Sequence, residues 1–93
     1  MKRVAQGEPV FLMSYFVYIL RNTEGRLYIG QTSNLELRLR QHNEGKAFWT
    51  KGRGPWLLIH SEGFATRSAA LAQERRLKAL KSKKALLDYM AQR

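Results

Sequence analysis

At 93 residues the chain makes one small domain that leaves much of its surface in solvent, so an active site must lie in a shallow groove. Seventeen Lys and Arg against seven Asp and Glu give a net charge of +10, and the resulting positive field, reaching about 8 Å at physiological salt, suits nucleic acid ahead of an anionic membrane surface. The absence of cysteine rules out a disulfide scaffold, a thiolate zinc site and a cysteine nucleophile.

The opening "MKRVAQGEPVFLMSYF" lacks a signal-peptide core and cleavage site, and no apolar run approaches the roughly 18 residues of a membrane span. A cytoplasmic protein without membrane partners is expected. The same segment carries Gly7 and Pro9 and no periodicity. Residues 1–13 are therefore predicted to be a disordered extension, with Met13 a candidate true start, and residues 14–93 to form the single domain.

From Tyr15 to Leu20, "YFVYIL", every residue is apolar or aromatic, which predicts a central strand covered on both faces. "RNTEGR" is a turn, "LYIG" a second strand, and "PWLLIH", Pro55 to His60, a third with proline at its first position. Between the last two, "TSNLELRLRQHNEG" offers Thr32, Ser33 and Asn34 as caps, Leu35 and Leu39 four apart, and Gly45 as a stop, the pattern of one short helix. The closing "ATRSAALAQERRLKALKSKKALLDYMAQR" reads as two helices broken and recapped at Ser82. The order is ββαβαα, an α+β domain.

Hairpin parity decides where two tyrosines go. "NTEG" suits a three-residue loop in which a type I turn is followed by a left-handed bulge glycine, Gly25. Asn22 then pairs with Arg26 and Leu20 with Tyr28, which makes Tyr18 a same-face diagonal neighbour of Tyr28, about 7 Å away. Gly30 is expected to open that surface to close approach by a backbone or ligand. Two strand tyrosines are, on their own, ordinary amphipathic core residues.

The helix after them adds chemistry. Leu35, Arg38, Leu39 and His42 share one face, whereas Arg40 points to solvent; alternatively His42 merely complements the helix dipole. In the next helix Glu74 borders the stripe of Ala70 and Leu77. It can pair with Lys78, or hold a hard cation such as Mg²⁺ through oxygen. A phenol whose pKa is lowered by a cation and Arg38 can take a proton from water, the metal can stabilise the leaving oxygen, and the guanidinium can stabilise charge on the phosphate. This is the outline of a one-metal phosphodiesterase.

These residues resemble the GIY-YIG endonuclease superfamily, whose name-giving tripeptides look like "FVY" (Phe16 to Tyr18) and "YIG" (Tyr28 to Gly30). "LELRLRQHN" is similar to its arginine and histidine helix, and "AALAQERRLK" to the segment with its metal-binding glutamate. The resemblance runs from about Tyr15 to about Leu87 and is closest to short one-domain bacterial members similar to the amino-terminal nuclease domain of the excinuclease ABC complex. "TKGRGPWLLIHSEGF" and "RSAALAQE" look like that branch's linking segments. The resemblance implies a three-stranded antiparallel sheet flanked by helices. It further implies Tyr28 as general base or water-positioning group, Tyr18 as its partner, Arg38 on the scissile phosphate, His42 in proton transfer or substrate contact, and Glu74 on Mg²⁺ or Mn²⁺. Phe16 stands where the first tripeptide has glycine, and Gln31 where excinuclease-type members commonly carry a phosphate-binding lysine.

With no separate DNA-binding domain, the grip must come from Gln31, from Lys46, Lys51 and Arg53 in the loop, and from Arg75, Arg76, Lys78, Lys81, Lys83 and Lys84 on the late helices. Such contacts read phosphates rather than bases, so the expected partner is single-stranded or branched DNA, with RNA also admitted. Trp49 is a candidate stacking residue, Trp56 a core residue. A monomeric metal-dependent endonuclease in DNA repair or processing is the leading reading. A non-catalytic nucleic-acid-binding module on the same scaffold is the alternative, and an adaptor for a larger repair complex a third.

Overall fold

The computed structural model describes residues 13–92. β1 (Tyr15–Asn22), β2 (Leu27–Thr32), α1 (Leu35–Asn43), a 3₁₀ turn (Phe48–Thr50), β3 (Trp56–Phe64), α2 (Arg67–Lys78) and α3 (Lys83–Ala91) follow in order. The strands form one antiparallel sheet in the order β2-β1-β3, with β1 central as its composition predicts. The expected extension lies outside the described residues except for Met13, whose side chain packs beside Gly63. Among the described residues no helix is long and apolar enough to cross a membrane.

The hairpin forms with the predicted parity. Gly25 takes φ +83°, its amide donates to Asn22 O at 3.0 Å and the Asn22 amide donates to Arg26 O at 3.1 Å. Asn22 Oδ1 accepts from the amides of Glu24 and Arg26, at 3.0 and 2.8 Å, so the side chain clamps the turn it precedes. Leu20 therefore faces Tyr28, and Tyr18 faces Gly30. Each helix starts on a side-chain cap: Asn34 accepts from Leu37 N, Thr66 from Ala69 N and Ser82 from Ala85 N.

β3 differs from expectation. Pro55 stands one residue before it, and the strand continues four residues past His60 to Phe64. "SEG" has the composition of a loop, yet β1 offers ladder partners along its whole length, from Asn22↔Trp56 to Tyr15↔Phe64. A register shift between Ile19 and Leu20, opposite His60 and Leu58, leaves Ile59 as the extra bulge residue.

Residues alternate across β1, and both of its faces are covered. Val17 and Ile19 enter a core with Ala70, Leu77 and Leu86 beneath α2 and α3. Tyr18 and Leu20 enter a second with Trp56, closed by Leu35 and Leu39 of α1. Burying each large aliphatic side chain contributes roughly 1.5–3 kcal/mol. The central strand is held by both layers, and any groove must form where the sheet ends.

Candidate active site

That place is the edge strand β2. Its outer side opens into a groove of about 840 Å³ lined by Tyr28, Arg38, Trp49, Glu74, Lys78 and Lys81, among others. Arg38 reaches it from the α1 face of the sheet and Glu74 from the α2 face, so the two meet around the strand edge. The Arg38 fork is steadied by Gln41, whose Oε1 accepts from NH1 at 2.9 Å one turn on. Glu74 Oε2 accepts from Lys78 Nζ at 2.9 Å, and its side chain is only 18% exposed.

Tyr18 and Tyr28 share a face, with ring centroids 6.2 Å apart and planes inclined at 39°. Their environments are unequal. Tyr28 is half-buried and reaches the groove, its ring 4.9 Å from that of His42, whereas Tyr18 is 1% exposed. Gly30 is buried opposite Tyr18, and a Cβ on it would stand 2.5 Å from the Tyr18 hydroxyl and 2.7 Å from Cζ. This corrects the expectation for Gly30: the close approach it permits is that of the Tyr18 ring, and no surface is left there for nucleic acid.

The Tyr18 hydroxyl lies 2.8 Å from His42 Nε2, and His42 Nδ1 lies 2.6 Å from Thr50 Oγ1. His42 and Thr50 are each 1% exposed. Burial, reinforced by the Arg38 charge, holds the imidazole down at about 4, so it is neutral at pH 7. Burial also pushes the Tyr18 phenol up to about 12, although Arg38 beside it favours the charged form. Two expectations are thereby corrected. His42 is sealed from solvent by its two ring partners, in reach of neither substrate nor the helix dipole as a charge. The Tyr18 phenol is raised rather than lowered, because desolvation outweighs the guanidinium.

The remaining predicted contacts divide. Trp49 is 74% exposed at the groove, stacked edge-on with the 79% exposed Phe48 at a centroid distance of 5.1 Å. Trp56 is core, its Nε1 donating to Thr50 O at 3.2 Å. Lys78 and Lys81 line the groove together with Lys83. Lys46, Lys51 and Arg53 are exposed outside that lining, Lys46 pairing with Glu44 at 3.3 Å. Lys84 also lies outside it, paired with Asp88 at 3.0 Å. Gln31 opposes Val17 and so points to the α2 face, away from the tyrosines, with its Oε1 buried and unbonded among the described residues. Sequence reasoning missed Thr50 and Gln41. Thr50 lies in a loop without periodicity; the i, i+3 spacing from Arg38 could have found Gln41.

The family model described as the GIY-YIG catalytic domain matches residues 14–86. The chain belongs to the GIY-YIG family. It is 46% identical over 65 residues to a UPF0213 protein of Haloquadratum walsbyi, covering 69% of this chain and 73% of that protein. It is 45% identical over 67 residues to one of Oceanobacillus iheyensis, covering 71% and 78%. Two structures solved by NMR in solution share the fold: the UPF0213 protein from Bacillus halodurans, with TM-score 0.56 and 30% identity over 85% of this chain and 84% of that one, and a protein from E. faecalis, with TM-score 0.57 and 34% identity over 84% of each. The sheet and helices of this GIY-YIG domain are thus those of its relatives, and its family is one of nucleases.

A divalent cation fits the groove's donor set only in one way. Among the described residues no three His, Cys, Asp or Glu side chains gather, so a metal here would rest on Glu74 with water completing the shell. Mg²⁺ and Mn²⁺ tolerate that arrangement, and a soft-metal site is excluded by the donors present.

Proposed function

We propose that this domain is a metal-dependent endonuclease that hydrolyses DNA phosphodiester bonds with little sequence preference, in repair or processing of DNA. The observation that carries the reading is that Tyr28, Arg38 and Glu74, from β2, α1 and α2, line one groove rimmed by lysines. Arg38, held by Gln41, presents its fork to the phosphate oxygens and stabilises the charge that grows on them. Tyr28 orients the attacking water and accepts its proton. Glu74 would hold Mg²⁺ or Mn²⁺, which supplies Lewis-acid stabilisation of the leaving oxygen when bound. Tyr18 stays a neutral phenol and buttresses the Tyr28 ring.

The exposed Phe48 and Trp49 rings beside the groove support a preference for unpaired bases, each worth about 1–3 kcal/mol when stacked. Lys78, Lys81 and Lys83 supply phosphate contacts that carry no sequence information. Labelled single-stranded, duplex and branched DNA incubated with Mg²⁺ or Mn²⁺ tests the proposal. Metal-dependent products from the wild type, lost with chelator, with Tyr28→Phe and with Glu74→Ala while binding persists, are expected. Salt-sensitive binding without products in all three proteins would leave the binding-module reading instead.

A further inference from the structure

Thr50 has no role in the proposed hydrolysis, yet it is one of the most deeply buried polar residues of the chain and ends a line of heteroatoms that begins at the tyrosine pair. The line runs from Tyr18 Oη to His42 Nε2 at 2.8 Å, through the ring to Nδ1, and on to Thr50 Oγ1 at 2.6 Å. Beyond it, Thr50 Oγ1 lies 3.4 Å from Ala47 O.

Counting protons orients this line. Ala47 O can only accept, so the Thr50 hydroxyl can donate there and present its lone pairs to Nδ1. A neutral imidazole carries one N–H, which then sits on Nδ1 and leaves Nε2 bare. Tyr18 must donate to Nε2. At the other end Arg38, whose guanidinium has donors alone, stands beside the same phenol and favours its negative form. The Tyr18 oxygen therefore has its proton directed inward and its lone pairs directed to the arginine side. The reverse order would aim both Nε2–H and the guanidinium at the Tyr18 oxygen and leave the phenol proton to seek an acceptor inside a sealed layer.

The backbone around Thr50 is fixed from several sides. Its amide donates to Ala47 O at 3.2 Å and its carbonyl accepts from Arg53 N at 3.1 Å, and from Trp56 Nε1 at 3.2 Å. Asn43, the residue after His42, grips the Trp56 backbone at both its amide (2.6 Å) and its carbonyl (3.1 Å). The turn that carries Thr50 and the helix that carries His42 are thus pinned to the same point of β3, and the 2.6 Å separation is set by the fold.

We propose that Thr50 is a positioning residue: by accepting from Nδ1 it locks His42 in the tautomer whose bare Nε2 takes the Tyr18 proton, so that the Tyr18 oxygen serves the groove as a hydrogen-bond acceptor. This rests on the nuclease reading of the groove. No proton leaves the line during the reaction; Thr50 fixes which way it points. The energetic logic is that of other buried histidines, where the group on the far nitrogen decides what the near nitrogen does.

The tautomer can be read without any cleavage, from the two-bond ¹H–¹⁵N couplings of His42 in ¹⁵N-labelled protein. Wild type is expected to show Nδ1–H. Thr50→Val, which removes the hydroxyl and keeps the branched shape, should convert His42 to a mixture or to Nε2–H, and lower kcat about 10–100-fold with little change in KM. Thr50→Ser should restore both. Nε2–H in a wild type that cleaves DNA would overturn the role of Thr50 alone, as would an unmoved tautomer in Thr50→Val or a moved one with unchanged kcat. The expected tautomer in a wild type that cleaves nothing would instead sink the nuclease reading, and the catalytic role of Thr50 with it.

Discussion

On each face of β1 a line of polar side chains ties the sheet to a helix, and the two lines are built of different chemistry. Under α1 run Tyr18, His42 and Thr50, all neutral at pH 7 and each 1% exposed. Under α2 and α3 the centre is a carboxylate. Glu62 Oε2 accepts from His60 Nε2 at 2.7 Å and from the Tyr89 hydroxyl at 2.5 Å, and Oε1 accepts from Gln73 Nε2 at 3.2 Å. Gln73 in turn donates to Tyr89 Oη at 2.8 Å and accepts from Arg76 at 3.1 Å. A carboxylate inside an apolar layer must gather donors from every neighbour, and doing so it fastens β3, α2 and α3 together. A neutral line costs less to bury and can keep one end turned toward a groove. None of His60, Glu62, Gln73 and Tyr89 lines that groove, whereas Tyr18 touches Tyr28, which does. One line should govern chemistry and the other stability.

The largest expected effect breaks the α1-side line at its tightest point. Gly30→Ala places a Cβ 2.5 Å from the Tyr18 hydroxyl and 2.7 Å from Cζ. The ring is pinned by His42 and cannot swing aside without losing that bond. A loss of about 3 kcal/mol in urea unfolding is expected, with cleavage abolished. An unchanged midpoint would mean that the tyrosine yields and that the line is not rigid.

Acid sharpens the same contrast. The folded state keeps His42 neutral down to about 4, while the unfolded chain protonates its histidines near 6.5. Between those values the unfolded state binds more protons, so stability falls as pH is lowered from about 6.5 through 4, by about 2–3 kcal/mol at the lower limit. Urea midpoints across that window measure it, and His42→Gln should flatten the decline. Tyr18 has the opposite sign: its raised pKa leaves stability intact below pH 10 and erodes it as pH climbs toward 12.

A smaller effect isolates the other line. Tyr89→Phe removes the donor to Glu62 and should cost about 1 kcal/mol of stability while leaving cleavage of single-stranded DNA unchanged. Reduced kcat in a folded Tyr89→Phe protein would show that the two faces are coupled and that the division between them is wrong.

The two lines were not equally legible in the sequence. Hairpin parity, through Gly25, put Tyr18 and Tyr28 on one face, and the i, i+3, i+4, i+7 spacing put Arg38 and His42 on the helix face above them. Both signals are local, and local geometry is what a sequence encodes directly. Neither could tell that Tyr18 would be sealed and Tyr28 open, because that depends on α1 and the 3₁₀ turn closing over one ring and not the other. Thr50 was invisible for the same reason: it reaches His42 through the path of a loop, not through a period. Glu62 was misplaced as well, in a "SEG" that reads as a turn until the length of β1 demands a partner strand. Gln31, expected to face phosphate, follows from strand alternation alone: counted from Tyr18↔Gly30 it must face the other way.

The smallest prediction concerns α3, which serves both sides of the comparison, with Tyr89 near its end in the carboxylate network and Lys83 at its start lining the groove. Lys83 and Lys84 are adjacent, and by sequence alone both are phosphate contacts. Lys84, however, is bound to Asp88 one turn along, an exposed pair that contributes at most about 0.5 kcal/mol to the helix. Each lysine that neutralises a phosphate releases counterions, so removing it lowers the slope of log K against log salt by about one unit. Lys83→Ala should do this for single-stranded DNA, and Lys84→Ala should leave the slope where it was. Equal reductions would mean that the DNA path runs over the outer face of α3 and not along the β2 edge, and the groove would then be the wrong place to look for the scissile phosphate.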